Sequence, residues 1–194
     1  MQTLRLLLLV GMLSWGSGRL AAQTPIEEED FENVKGQLVG WSATWQPPGE
    51  SAVYRPAAKW DSPFVIVTEA DGAHSGSQAL KWEFSGEIQG MVSLNFPPLQ
   101  VNATELELRF FVKTKGIDKV GRLAVDEADA SGKRLKSNWA AVQVQPSDTW
   151  TEVVWRGKVG GDTSRLRVFL AYDGLPAGAT VWIDDITIKP VPGN

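Results

Sequence analysis

The sequence contains no cysteine and only one histidine, His74. Without cysteine the chain forms no disulfide bond and offers no thiolate to a metal, and a lone histidine cannot build a zinc site from several imidazoles. A Ser-His-Asp triad would have to use His74, yet its neighbour Ser75 lies in a turn sequence without the context of a serine nucleophile. The sequence also lacks a phosphate-binding loop and a dinucleotide fingerprint. These absences argue against the common hydrolytic, zinc-dependent and nucleotide-dependent activities.

Long apolar runs are absent after residue 22. Before it, Arg5 precedes the apolar run 6–13, which is too short to span a bilayer. This pattern is typical of a secretory signal peptide, so we expect residues 1–22 to be removed and the protein to be secreted or periplasmic, with no membrane span afterwards. Residues 23–28 would then form an acidic leader.

Clustered basic residues are absent as well. The chain has 19 Lys and Arg against 23 Asp and Glu, and none of the basic residues forms a stripe. Nucleic acid is therefore not an expected partner, because binding to phosphates requires clustered positive charge. The length of 194 residues and the 43% apolar content suit one well-buried core. We expect a single folded domain over residues 29–190.

Segments of alternating polarity recur throughout this domain, and no stretch shows sustained helical periodicity. The clearest is 105–113, in which four apolar residues alternate with mostly polar ones: Leu106, Leu108, Phe110 and Val112. Turn sequences rich in Gly, Pro, Ser and Asp separate about nine to eleven such segments. The pattern predicts an all-β fold, an antiparallel β-sandwich of the jelly-roll type.

Two adjacent carboxylates, Asp184 and Asp185, lie at the centre of the predicted C-terminal strand 180–188. Strict alternation places Asp184 on one face with Trp182, Ile186 and Ile188, so at least one carboxylate points where apolar neighbours point. A buried carboxylate needs a partner, and a hard cation is one of the few groups that suit it. If the first and last strands are neighbours, Glu32 and Asp184 can share one calcium ion. The alternative is that Asp184 caps backbone amides and Glu32 lies in solvent.

Several short motifs follow one another in order along the domain: Asp30-Phe31-Glu32, Gly40-Trp41, the turn 70–80 with His74-Ser75-Gly76, Trp150-Thr151, and Ile183-Asp184-Asp185-Ile186. Together they resemble the carbohydrate-binding modules of the CenC type, within the galactose-binding-like jelly-roll superfamily. The resemblance covers about residues 29–190. It implies a carbohydrate ligand and a structural calcium ion held by Glu32, the backbone around Gly76, and Asp184.

Tryptophan is abundant, with nine residues against two tyrosines. Four lie in alternating segments, where packing in the sandwich is expected: Trp82, Trp150, Trp155 and Trp182. Three others lie among Gly, Pro, Ser and Asn, where exposed rings can stack on sugars: Trp45, Trp60 and Trp139. We predict that these three form a glycan-binding platform with polar groups at its edge: Gln46, Asn138 and Arg165. The alternative is that the rings close the ends of the sandwich or cover the polar loop 41–60.

The sequence therefore predicts a non-catalytic, secreted glycan-binding module that binds a polysaccharide or oligosaccharide and carries a structural calcium site. Two alternatives stay open. A protein-interaction or assembly adaptor, with a protein partner, would present the loop aromatics as one contiguous apolar patch. A small glycoside hydrolase would place two carboxylates across a groove, one of them with a raised pKa.

Overall fold

The computed structural model describes residues 27–191 except 30, 33–39, 47, 50, 57–63, 71 and 102. The expected signal peptide and the first part of the acidic leader lie outside the described residues. The described part contains thirteen strands and no helix, and hence no helix that could cross a membrane. The strands are β1 (Glu27–Glu29), β2 (Ser42–Gln46), β3 (Val53–Pro56), β4 (Phe64–Glu69), β5 (Ala79–Phe84), β6 (Ile88–Asn95), β7 (Leu99–Gln100), β8 (Glu105–Lys115), β9 (Gly121–Ala128), β10 (Arg134–Val144), β11 (Thr151–Lys158), β12 (Arg165–Leu175) and β13 (Thr180–Pro190).

These strands form two antiparallel sheets. The six-stranded sheet has the order β11-β8-β13-β5-β4, with β1 also paired to β13. The seven-stranded sheet has the order β10-β9-β12-β6-β2-β3, with β7 also paired to β12. All of the recorded strand pairs are antiparallel, so the predicted all-β, antiparallel β-sandwich is confirmed.

The hydrophobic core lies between the sheets and is built by alternate side chains of each strand. On β8 the residues expected to point inward are all buried: Leu106, Leu108, Phe110 and Val112. Trp82 and Trp155 are buried as well, whereas Trp150 and Trp182 are partly exposed. The rings of Trp150 and Trp182 flank the ammonium group of Lys113, with centroids 4.9 and 4.7 Å from Nζ. The four tryptophans of alternating segments thus pack within or upon the sandwich.

Strands β2 and β3 occupy a segment that the sequence analysis treated as a polar loop. On β2, Ala43 and Trp45 lie opposite Leu94 and Val92 of β6, so this short strand faces the core with alternate residues. Because Gly40 and Pro47 flank this strand closely, its alternating pattern is too short to be recognised as a strand from the sequence. The short strand β7 was also not predicted.

Strand β13 contains a bulge at the two carboxylates. Its register with β8 shifts between Asp184 and Thr187, and Asp185 adopts a left-handed backbone with a φ of 49°. Inward residues are Val181 and Ile183 before the bulge and Ile186 and Ile188 after it. The prediction of one face shared by Trp182, Ile186 and Ile188 is therefore wrong, because an extra residue reverses the alternation.

The first and last described strands are neighbours. Glu27 lies opposite Ile188 and Glu29 opposite Ile186, so β1 extends along the part of β13 that follows the bulge. Strand β1 begins at Glu27, within the range assigned to the acidic leader. This pairing brings the chain that follows β1 to the level of Asp184.

We predict that Gly121→Ala lowers stability. A Cβ at Gly121 would lie 2.7 Å from Cε1 of the buried Tyr172 ring, and overpacking of this kind costs about 1–3 kcal/mol. Gly161→Ala is the matched control, since nothing lies within 4 Å of its Cβ position. Urea denaturation of both variants measures the difference, and equal free energies of unfolding would contradict the packing described at Tyr172.

Candidate functional site

Carboxylates from both ends of the described chain hold the turn 74–78. Glu32 accepts hydrogen bonds from the backbone amides of Ser77 and Gln78 at 2.6 and 2.8 Å, and from the Ser77 hydroxyl at 2.7 Å. Asp184 accepts hydrogen bonds from the backbone amides of His74 and Ser75 at 2.8 and 3.3 Å. The structure thus brings Glu32 and Asp184, 152 positions apart in the sequence, to one turn.

Asp184 is completely buried, and its Oδ1 also accepts a hydrogen bond from the Asp185 amide at 2.9 Å. Burial raises the pKa of this carboxyl group, while the amide donors act in the opposite direction. Within the described residues no Lys or Arg forms an ion pair with Asp184. The hydrogen bonds from Ser77 and Gln78 lower the pKa of Glu32. Amide capping, the alternative considered for Asp184, is therefore present at both carboxylates.

Asp185 links the two side chains that a catalytic triad would need. Its carboxylate lies 2.6 Å from Nδ1 of His74 and accepts a hydrogen bond from the Ser75 hydroxyl at 2.6 Å. The His74 ring stacks on Phe111, with centroids 3.5 Å apart. Because Ser75 and His74 each bind the carboxylate, the histidine is not placed as a base for the serine. The contacts of His74 and Ser75 with Asp185 and Phe111 fasten the turn to the six-stranded sheet.

Gly76 allows Glu32 to approach the turn. Its φ is 59°, and a Cβ there would lie 2.4 Å from Oε1 of Glu32. The three residues proposed for a metal, Glu32, Gly76 and Asp184, therefore lie around a single turn. No group of three or more His, Cys, Asp or Glu side chains suited to a metal occurs in the part of the chain that the structure describes.

The predicted tryptophan platform does not assemble among the described residues. Trp45 is half-buried against the core, and its Nε1 donates to the carbonyl oxygen of Gln89 at 3.0 Å. Trp139 is 41% exposed on the edge strand β10, four strand positions away in the sheet, or about 19 Å. Trp60 lies outside the described residues. Trp45 is thus a packing residue and shares no platform with Trp139, because β2 is a strand and turns this ring inward.

The three predicted edge groups are all on the seven-stranded sheet. Gln46 is exposed at the end of β2, opposite Met91 of β6, and Asn138 is exposed on β10. Arg165 is half-buried at the start of β12, opposite Ala128 of β9. Gln46 and Arg165 belong to the outer side of this sheet, since the residues that alternate with them, Trp45 and Leu166, pack inward.

This outer side carries a set of polar groups of which Arg165 alone was predicted from the sequence. Directly opposite residues of neighbouring strands share a face. Phe169 of β12 lies opposite Asn95 of β6, which lies opposite Ser42 of β2. We define the polar face by the outward side chains of Ser42, Thr44, Ser93, Asn95, Arg122, Asp126, Arg165, Arg167 and Phe169. The alternation of 165–172 contained the signal, because inward Leu166, Val168 and Leu170 require Arg167 and Phe169 to point outward.

A hydrogen-bonded network forms the floor of the polar face. Asn95 Nδ2 donates to the hydroxyls of Ser42 and Thr44 at 3.1 and 3.0 Å, and the Ser93 hydroxyl donates to Asn95 Oδ1 at 3.1 Å. Ser42, Ser93 and Asn95 are buried although they point away from the core. The small side chains of this floor therefore lie beneath the surrounding surface.

Charged groups lie at the β9 and β12 side of the polar face. Asp126, 4% exposed, accepts a hydrogen bond from the Ser137 hydroxyl at 2.5 Å and one from Arg167 Nη2 at 3.2 Å. Arg134 Nη1 lies 4.0 Å from the same carboxylate. Arg122 pairs with Asp173 at 2.7 Å. The face thus offers hydroxyl, amide, carboxylate and guanidinium groups in register.

No family model matches the sequence, and no curated protein matches it. Solved structures match the fold. The CBM22-1 xylan-binding domain of Paenibacillus barcinonensis Xyn10C has a TM-score of 0.59 and 17% identity, over 89% of this chain and 98% of that chain. TmCBM61, in complex with β-1,4-galactotriose, has a TM-score of 0.51 and 16% identity, over 82% and 97%. A xylan-binding domain from CBM 22, formally the x6b domain, has a TM-score of 0.53 and 12% identity, over 90% and 99%.

At these identities the likeness is one of fold. The chain shares an antiparallel β-sandwich fold with the CBM22 and CBM61 structures.

We predict that Gly76→Ala destabilises the protein through Glu32. Alanine in a left-handed conformation costs about 1–2 kcal/mol, and here its Cβ would also displace the Glu32 carboxylate. Gly132→Ala is the matched control, with a φ of 85° and nothing within 4 Å of its Cβ position. Thermal unfolding should show the larger loss for Gly76→Ala, and the excess should vanish in a Glu32→Ala background. An excess that persists without Glu32 would contradict this contact.

Proposed function

We propose that the protein is a non-catalytic glycan-binding module that holds a polysaccharide or oligosaccharide on the polar face. One observation supports this proposal above all: Ser42, Asn95 and Phe169 lie side by side on three neighbouring strands. Arg167 and Asp126 lie beside them on the same face. Sugar rings present hydroxyls that both donate and accept, together with apolar C–H faces. Serine, asparagine, arginine and aspartate meet the hydroxyls, and the partly exposed Phe169 ring offers an apolar surface.

The structural neighbours support this proposal, because two are xylan-binding domains and a third was solved with a galactotriose. Membership of the CenC type belongs to the same proposal and rests on the ordered motifs around Glu32, the turn 74–78 and Asp184. Secretion rests on the signal-like pattern of residues 1–22.

A hydrolase is less well supported. Burial raises the pKa of Asp184, as would be needed in a catalytic acid. However, its side chain is buried, and both of its carboxylate oxygens accept hydrogen bonds from backbone amides. Asp126 is held by Ser137 and Arg167.

An adaptor is also less well supported. Large apolar side chains that are exposed in the described part of the chain are Val120, Leu135 and Trp139. Two of them lie on the edge strand β10, where the ladder with β9 is interrupted between Arg134 and Lys136 and between Asn138 and Val142. Three such residues fall short of the contiguous aromatic patch that this function requires.

We predict that the full chain binds xylan or β-1,4-galactan oligosaccharides, measured by affinity electrophoresis and calorimetry. Arg167→Ala and Phe169→Ala should each weaken binding about tenfold, since a hydrogen bond to a charged group or a stacked ring contributes about 1.4 kcal/mol or more. Arg156→Ala is the matched control, because Arg156 lies on the outer side of the six-stranded sheet. An equal loss with Arg156→Ala would contradict the location, and no binding on a broad glycan array would contradict the function.

We also propose a structural calcium site at Glu32, the backbone around Gly76, and Asp184. Two carboxylates meet one turn there, and the buried Asp184 has no cationic side chain beside it in the described structure. Carboxylate and backbone oxygens are the ligands that calcium prefers, so the donor type and the charge fit. Because amides already occupy three of about four lone-pair positions of Asp184, the ion would add to an existing anchor. Calcium would stabilise the turn and take no part in chemistry.

We predict that a chelator lowers the melting temperature and that added calcium restores it, because an ion that binds only the folded state stabilises it by mass action. Asp184→Asn should abolish the response to calcium. Asp162→Asn, at an exposed turn, should retain it. A melting temperature that is unaffected by the chelator would contradict the proposed calcium site. The observed hydrogen bonds from the turn amides to Glu32 and Asp184 would stand without it.

A further inference from the structure

We infer that the glycan bound by the polar face is anionic, a polysaccharide that carries carboxylate or sulfate groups. This inference rests on the proposed function and names its ligand class. It comes from the balance of charge on the face rather than from the fold.

Positive charge exceeds negative charge along β12 and its neighbours. Arg165 and Arg167 point outward from the same side of β12, about 7 Å apart along the strand. Among the described residues, Asp126 is the only carboxylate within ion-pairing distance of Arg167, and Arg134 shares it, at 3.2 and 4.0 Å. One buried carboxylate therefore serves two guanidinium groups. The excess is notable because the whole chain has a formal net charge of −4.

The side chain of Arg165 has no ion pair or hydrogen-bonding partner within the described chain. Arg167 donates one hydrogen bond to Asp126, and its buried Nε has no protein partner. The Nε of Arg122 is likewise buried and unpartnered, although its Nη2 pairs with Asp173. Because these two Nε atoms are buried, the guanidinium group that is available to a ligand is that of Arg165. A guanidinium group without a protein partner is suited to bidentate binding of a planar or tetrahedral anion.

The outer side of the six-stranded sheet provides an internal comparison. There Arg109 pairs with Glu107 and Glu152, and Arg156 pairs with Glu107 at 2.5 Å. Two arginines meet two carboxylates in this cluster, so their charges are balanced within the protein. Only on the polar face do arginines outnumber the carboxylates that they contact, among the described residues.

A neutral glycan would make less use of this arrangement. Recognition of neutral sugars relies on aromatic platforms, and the polar face has one ring, Phe169. Its floor of Ser42, Ser93 and Asn95 suits hydroxyl groups of the same chain. We assign the hydroxyl-rich backbone of the polysaccharide to this floor and its anionic substituents to Arg165 and Arg167.

The test compares polymers that share a backbone: polygalacturonate, its carboxyl-reduced neutral form, and a sulfated derivative of that neutral form. Calorimetry with the full chain should show at least about tenfold tighter binding of an anionic polymer, the scale of one charge-assisted hydrogen bond. The preference should decrease between 50 and 500 mM NaCl, because salt screens exposed charges. Arg165→Gln should reduce the preference about fivefold or more without changing the melting temperature, since Arg165 has no partner to lose. Arg156→Gln should leave the preference unchanged.

Each outcome decides a separate point. Tighter binding of either anionic polymer that depends on Arg165 supports the inference, and the better of the two identifies the anion. Equal binding of neutral and anionic polymers overturns the inference and leaves the proposed function standing. A preference that Arg156→Gln reduces as much as Arg165→Gln does overturns it too, because the effect is then general electrostatics. Failure of every polysaccharide on the array overturns the proposed function itself.

Discussion

The sandwich depends on the anchoring of the turn 74–78 by carboxylates from the beginning and end of the fold. Glu32 and Asp184 together accept five hydrogen bonds from its backbone amides and the Ser77 hydroxyl. A buried carboxylate is costly unless donors surround it, and a turn has amides that no strand satisfies. The carboxylates thus satisfy the turn amides, and the amides offset the cost of burying Asp184. In a chain without disulfides, this polar junction fastens β1, β5 and β13 to one another.

The two outer sides of the sandwich have different chemistry on the same architecture. On the six-stranded sheet, aromatic rings enclose Lys113 and arginines meet matching carboxylates, so the surface is satisfied internally. On the seven-stranded sheet, a buried hydroxyl and amide floor lies on the same face as the Arg165 guanidinium group, which has no protein partner among the described residues. Antiparallel sheets commonly expose one face to water, but a surface that buries its small polar groups while leaving arginines unmatched is suited to a ligand.

Alternation was sufficient to predict the class of fold, because β8 buries every second residue along its eleven positions and β12 does so from Arg165 to Leu170. It could not identify β2, since five residues flanked by Pro and Gly give too short a pattern, and Trp45 was assigned to a loop surface as a result. It also failed beyond Asp184, where a bulge reverses the phase. The position of Glu32 and Asp184 near Gly76 was expected from the order of the motifs, through the family that they resemble. The polar face depended on cross-strand register, which one sequence does not reveal.

The interrupted ladder of β10 has a consequence for how copies of this protein behave toward one another. A long, regular strand at the margin of a sheet invites another chain to continue it, and this chain has no disulfide with which to resist such exchange. Here the ladder of β10 with β9 is irregular at Arg134–Lys136 and at Asn138–Val142, and irregularities of this kind bend an edge strand and disturb its regular hydrogen-bonding pattern. This margin is therefore a poorer template for a strand of a second copy than a long, regular edge strand would be.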